Sequence, residues 1–134
     1  MNTSEIIYKG ELRTAAIHLT SGQVIITDAP TDNNGKGEAF SPTDLLATSL
    51  GCCMLTVMGI VAKRHDINMD GTKVEILKVM TDNPRRVSEI HADIHFPENN
   101  YSQKEKELLE RTALTCPVAK SLHPDIQQKT RFHF

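Results

Sequence analysis

Aromatic residues are scarce in this sequence, which has no tryptophan, two tyrosines and four phenylalanines among 134 residues. The hydrophobic core must therefore be built from aliphatic side chains and methionine. The sequence also lacks internal repeats and any linker rich in proline, glycine or serine. Because domains cluster at about 100–150 residues, we expect residues 1–134 to form a single domain.

Charge of one sign is not concentrated anywhere, since the net charge is −2 and no run of lysine or arginine occurs. This argues against a nucleic-acid partner, which is normally bound by a basic patch. Residues 1–9 lack the apolar stretch of a signal peptide. The three cysteines are odd in number, which argues against a secreted disulfide framework. We therefore expect the reducing cytoplasm as the compartment.

One long apolar segment, residues 45–62, is short for a membrane span and is diluted by small and polar residues. A helix start precedes it, with Ser41 as N-cap, Pro42 at the first helical position and Asp44 three residues after the cap. The apolar side chains cover nearly every direction around the axis, as in a helix buried on all sides. Because one small chain can hardly enclose such a helix, we expect a partner subunit and no membrane.

Strand patterns lie on both sides of this helix. Residues 6–28 predict strands that form a hairpin, and residues 29–40 predict a loop. Residues 72–80 and 89–96 predict two further strands, the second with apolar residues on one face and polar residues on the other. That alternation is typical of an antiparallel sheet. Residues 128–134 predict a closing strand.

Two shorter helices complete the pattern. Ser102 is the predicted cap of one of them, and Glu105 is placed to complete a capping box. Cys116 and Pro117 begin the other helix. The resulting order of elements, β-β-α-β-β-α-α-β, is typical of an α+β fold.

The three cysteines differ in their predicted surroundings. Cys52 and Cys53 lie on the apolar helix, where a cysteine is usually a small packing residue. Cys116 lies where a helix begins, and the free N–H groups and positive dipole end found there favour a thiolate. The residue pattern leaves two alternatives open for Cys116, a reactive thiol or a cap in place of serine or aspartate.

The spacing of the six histidines and three cysteines does not fit a compact metal site. No Cys-x-x-Cys occurs, and the adjacent Cys52 and Cys53 point in different directions on a helix. His91 and His95 fall on the polar face of a strand, where we expect them to be solvated. Hydrolysis by a Cys–His pair would need a flanking pattern that His123 does not have. We therefore expect no bound metal.

Two motifs in the chain resemble those of the OsmC/Ohr family. Residues 41–47 are Ser-Pro-Thr-Asp-Leu-Leu-Ala and lead to Gly-Cys-Cys at residues 51–53, while residues 116–120 are Cys-Pro-Val-Ala-Lys. The resemblance covers essentially the whole chain. It places Cys53 on the cysteine of the family's helix motif and leaves Cys52 as a packing residue.

This resemblance implies an OsmC-like fold, with antiparallel sheets packed on a buried central helix, in an intertwined homodimer with active sites at the interface. It further implies a thiol peroxidase that reduces a small organic hydroperoxide without a metal or organic cofactor. By analogy, Cys53 would be the peroxidatic residue that becomes a sulfenic acid. Cys116 would resolve it as a disulfide, and a dithiol would restore both thiols.

The sequence departs from the family at one position, because Thr43 follows Pro42 where the family's peroxidases have glutamate. We expect Glu38 in the preceding loop to substitute for that acid, and Arg13 to be the arginine of the site. Loss of the acid weakens thiolate activation, so we expect slow hydroperoxide reduction. It also favours an alternative function, a non-catalytic protein that binds a small molecule in the dimer-interface pocket.

Overall fold

The computed structural model describes all 134 residues and contains six β-strands and three α-helices. The strands are β1 (Ser4–Gly10), β2 (Arg13–His18), β3 (Val24–Asp28), β4 (Lys73–Thr81), β5 (Arg86–His95) and β6 (Gln127–His133). The helices are α1 (Pro42–Arg64), α2 (Gln103–Leu114) and α3 (Pro117–Ser121), and a short 3-10 helix spans Thr31–Asn33. The predicted α+β class is confirmed.

The chain divides into two compact units, Met1–Leu46 and Ala47–Phe134. The single domain expected for residues 1–134 stays a prediction. In the first unit, residues 6–28 form strands as predicted, but the antiparallel sheet has three strands in the order β1-β2-β3 rather than two. The additional turn lies at Glu11 and Leu12, which both adopt positive φ. Gly10, which also has a positive φ and pairs with Arg13, precedes this turn, but neither central position is the glycine, asparagine or aspartate that usually marks one.

The sheet of the first unit exposes apolar side chains on both faces. Neighbouring residues of a strand point to opposite faces, and residues 4–9 of β1 and residues 24–26 of β3 are exposed at every position. The exposed large apolar residues of these two strands are Ile6, Ile7, Tyr8, Val24, Ile25 and Ile26. Contiguous exposure of this kind is uncommon on monomers and marks an interaction surface.

Helix α1 begins with the predicted cap. The backbone N–H of Asp44 donates to Ser41 Oγ at 3.0 Å, and the backbone N–H of Ser41 donates to Asp44 Oδ2 at 3.0 Å. This is a reciprocal capping box in which aspartate replaces the usual glutamate. The helix ends with Lys63 and Arg64 in its last turn, where cations interact favourably with the helix dipole.

Within a single chain, α1 is buried along one stripe rather than on all sides. The core residues of this stripe recur every three or four positions and are Ala47, Leu50, Met54, Met58 and Ala62. Cys52, Thr56 and Ile60 are exposed. By length and composition α1 is also apolar enough to cross a membrane, with 33% of its most apolar window buried. A core helix passes the same test.

The second unit contains a sheet of order β4-β5-β6. Strands β4 and β5 pair antiparallel as predicted, but β6 pairs parallel with β5, so the expectation of purely antiparallel sheets is wrong for this strand. The physical reason is the connection, because α2 and α3 lie between β5 and β6 and form a crossover long enough to return the chain to the same end of the sheet.

One face of this sheet carries the core of the second unit. Alternate residues of β5 are buried as predicted, namely Ile90, Ala92 and Ile94, and Val87 near the start of the strand is buried as well. They belong to one cluster with the buried stripe of α1 and with Leu109 and Ala113 of α2. Gly51 permits the close packing of α1 on β4, since a Cβ at this position would lie 3.1 Å from Ile76 Cδ1.

Candidate functional site

Two of the three cysteines meet inside the second unit. Cys53 lies in the middle of α1 and is partly buried, and Cys116 caps α3 with 1% of its surface exposed. Cys53 packs against the buried cluster that contains Cys116, and it lies near enough to raise the pKa of the Cys116 thiol. Cys52 lies on the exposed side of α1. The structure therefore brings the two predicted site cysteines together and leaves Cys52 outside the pair.

Cys116 also acts as a helix cap. Its backbone is extended, with φ −66° and ψ 154°, and its Sγ accepts a hydrogen bond from the backbone N–H of Ala119 at 3.4 Å. Pro117 occupies the first turn, where the missing N–H has no structural consequence. The capping alternative is thus correct as a description of geometry. It does not exclude chemistry, because the same thiol lies near Cys53, which raises its pKa.

Burial raises the pKa of the Cys116 thiol, and the neighbouring Cys53 raises it further. The backbone N–H groups of Ala119 and Val118 act in the opposite direction but do not outweigh the burial. The N–H groups at the helix start therefore favour a thiolate at Cys116 as expected, but burial has the larger effect, and a reactive thiol at Cys116 stays a prediction. Helix α3 has only five residues, so its dipole is weak, and a buried thiolate loses the hydration that would stabilise it.

The other two site candidates, Arg13 and Glu38, lie in the first unit and contact each other. Arg13 Nη2 donates to Glu38 Oε1 at 3.0 Å. Arg13 also makes a bidentate pair with Asp28, from Nε to Oδ1 at 2.7 Å and from Nη2 to Oδ2 at 2.8 Å. The backbone N–H of Glu38 donates to Asp28 Oδ2 at 3.1 Å. That Arg13 and Glu38 serve the cysteine pair stays a prediction.

Asp28 is a member of this cluster that the sequence analysis missed. Its side chain is fully buried, whereas that of Glu38 is 66% exposed. The hydrogen bonds from Arg13 hold the pKa of Asp28 below its ordinary value, and Asp28 in turn raises the pKa of Arg13. The predicted hairpin between β2 and β3 carried no register, and in the structure this register places Arg13 opposite Asp28.

The two histidines predicted to lie solvated on the polar face of β5 each approach a glutamate, Glu89 for His91 and Glu75 for His95. His91 Nε2 lies 2.9 Å from Glu89 Oε1, and His133 Nε2 of β6 lies 3.0 Å from Asp93 Oδ1. His95 stacks on His133 with ring centroids 4.6 Å apart. No group of three or more His, Cys, Asp or Glu side chains is placed to hold a metal ion.

Comparison with models of known protein families found a match to one family. The family model described as OsmC-like protein matches residues 35–131 of the chain. A solved structure from Psychrobacter arcticus 273-4, described as a proposed osmotic-stress-induced and detoxification-response protein, is 59% identical with a TM-score of 0.96. That similarity covers 99% of this chain and 96% of the other. No curated protein sequence matches this chain significantly.

More distant structures share the fold. An organic hydroperoxide resistance protein from Legionella pneumophila has a TM-score of 0.69 and 17% identity, covering 100% of this chain and 98% of that chain. An OsmC-like protein from Vibrio cholerae has a TM-score of 0.77 and 12% identity, covering 98% of this chain and 99% of that chain. At such identities the similarity is evidence of a common fold alone.

Proposed function

Because the chain belongs to the OsmC-like protein family, we propose that it is a thiol-dependent redox protein of the reducing cytoplasm that reduces small organic hydroperoxides. Structural neighbours carry names that refer to organic hydroperoxide resistance. The observation that carries the proposal is the proximity of Cys53 and Cys116 in one buried cluster. A pair of neighbouring thiols is the arrangement that a peroxidase needs to convert a sulfenic acid into a disulfide.

The different surroundings of the two thiols support an assignment of roles. Cys53 is the more exposed of the pair and is the peroxidatic residue. Its thiolate attacks the terminal oxygen of the hydroperoxide, the O–O bond breaks, Cys53 becomes a sulfenic acid and the alkoxide leaves as an alcohol after taking up a proton. Cys116 has a raised pKa because it is buried, so it stays protonated during this step and is the resolving residue.

The second half of the cycle returns both cysteines to thiols. The Cys116 sulfur attacks the sulfenic sulfur of Cys53, a disulfide forms and water leaves with the Cys116 proton. A dithiol then attacks this disulfide through a mixed disulfide and is itself oxidised, which leaves Cys53 and Cys116 reduced. These steps balance without a metal or an organic cofactor.

Treatment with an organic hydroperoxide should link Cys53 to Cys116 within one chain and leave Cys52 reduced. The two thiols belong to one packed cluster, so we expect that bridging them requires little backbone movement. Alkylation of the remaining thiols followed by peptide mapping measures the pairing. A link between Cys52 and Cys116 would show that the peroxidatic role belongs to the other member of the adjacent pair.

The alternative, a non-catalytic protein that binds a small molecule, is favoured by one observation. Arg13 is already bound by two carboxylates, Asp28 and Glu38, so most of its positive charge is compensated within the cluster. An arginine in this state is less able to stabilise a thiolate than a free one. Absence of turnover with all thiols reduced would favour this alternative.

We also propose that the protein is a homodimer. The support comes from apolar surface that the single chain leaves exposed, on α1 at Ile60, which is 49% exposed, and on β1 and β3. Burying such surface against a second copy removes it from water and stabilises the assembly. At low micromolar concentration, sedimentation equilibrium should therefore give a mass near twice the 14.9 kDa of the chain. A folded species at the monomer mass would contradict this proposal.

A further inference from the structure

A cavity of about 570 Å³ lies beside α2 and contains none of the cysteines in its lining. Its volume is within the range of about 300–1,000 Å³ that is usual for small-molecule pockets. The lining consists of His65, Ile67, Ser102, Lys104, Glu105, Leu108 and Arg111. All of these residues belong to the second unit, so the cavity is formed within one compact part of the chain.

On the wall of the cavity formed by α2, an apolar side chain lies between two positively charged side chains. Lys104, Leu108 and Arg111 follow one another at intervals of four and three residues, which places them on one face of the helix. With a rise of about 1.5 Å per residue, the two cations are about 10 Å apart along the axis, with Leu108 between them. Ile67, only 8% exposed, adds a second apolar contact from the segment after α1.

The cations of this wall have no partner in the structure. Neither the Lys104 side chain nor the Arg111 side chain makes a hydrogen bond or an ion pair. The single carboxylate in the lining, Glu105, accepts the backbone N–H of Ser102 at 2.8 Å as part of the capping box of α2. Two positive charges therefore border an apolar surface without a neutralising acid bound to either.

We propose that this cavity binds a small organic anion, a carboxylate with an apolar body. The carboxylate pairs with Lys104 or Arg111, and the apolar body packs on Leu108 and Ile67. A cationic ligand does not fit, because the only acid in the lining is held by the helix cap. A fully polar anion would leave the apolar wall in contact with water. The site is independent of the thiol chemistry proposed above, since it shares no residue with it.

Titration of the full chain with octanoate, followed by backbone amide chemical shifts, tests this proposal. We expect saturable shifts concentrated at residues 65–67 and 102–111, and weaker binding of octanol and of octylammonium, which have the same apolar body without the negative charge. Removing both cations in the Lys104→Ala/Arg111→Ala variant should weaken octanoate binding about fivefold or more. The control variant Lys9→Ala/Lys73→Ala removes two exposed lysines elsewhere and should bind like the unmodified protein.

A charge-reversal variant makes the experiment decisive. Lys104→Glu/Arg111→Glu should lose octanoate binding and bind octylammonium more tightly than the unmodified protein does, because the sign of the wall has been inverted. Equal octanoate binding by the Lys104→Ala/Arg111→Ala variant and the unmodified protein would overturn the proposal. So would shifts confined to residues outside the lining, or octanol binding as tight as that of octanoate.

Discussion

Replacement of Cys53 by serine should reduce the consumption of cumene hydroperoxide in the presence of dithiothreitol to the uncatalysed rate. Serine keeps the size of the side chain, but its hydroxyl is a far weaker nucleophile than a thiolate and cannot form the sulfenic acid. The unmodified protein should show measurable but slow turnover, because Thr43 stands where the family's peroxidases have glutamate. Initial rates of hydroperoxide loss measure both quantities.

The neighbouring cysteine provides a matched control. Cys52→Ser makes the same chemical change one residue earlier on α1, on its exposed side, and should leave the rate unchanged. Cys116→Ser should permit one turnover and then accumulate the sulfenic acid of Cys53, which a dimedone-type trap detects. No turnover by the unmodified protein with all thiols reduced would contradict the peroxidase and favour the binding protein.

Features set by neighbouring residues in the chain were predictable from the sequence. The capping box of Ser41 and Asp44 and the alternation along β5 both depend on residues a few positions apart, and both occur as predicted. The encounter of Cys53 with Cys116 is not local. It was expected only because the two motifs resemble those of a family, and the structure packs Cys53 against the buried cluster that contains Cys116.

Features that depend on tertiary structure were not predictable in the same way. The direction of β6 relative to β5 is set by the path of α2 and α3. The residue pattern of β6 is the same for a parallel and an antiparallel strand, so it does not predict this direction. The raised pKa of Cys116 results from burial among residues distant in sequence, which outweighs the local effect of the helix start. The pairing of Arg13 with Asp28 depends on the register of β2 and β3 at the end farthest from their turn, and the sequence pattern does not define that register.

The cluster around Arg13 gives the second prediction with a large expected effect. Asp28→Asn should lower the free energy of unfolding and the melting temperature by several degrees, because it removes one charge from a pair whose acid is fully buried. Glu38→Gln removes the other carboxylate bound to Arg13, but that side chain is 66% exposed, so its loss should cost much less. Thermal unfolding at fixed protein concentration compares the two variants.

The pH dependence of the free energy of unfolding should show whether the charge of Asp28, and not only its side-chain packing, stabilises the protein. Hydrogen bonds from Arg13 hold its folded-state pKa below the ordinary value, so the stability it confers is fully present above the unfolded pKa of about 3.9. That stability is lost as the pH falls through the lower folded-state pKa. Below about pH 4 the unmodified protein should therefore lose stability more steeply than Asp28→Asn, and the two should converge. Urea unfolding at a series of pH values from 5 downward measures the free energy of unfolding of both proteins, and Glu5→Gln serves as a control that removes an exposed carboxylate. If this free energy falls with pH equally steeply in the unmodified protein and in Asp28→Asn, Asp28 contributes no charge-dependent stability.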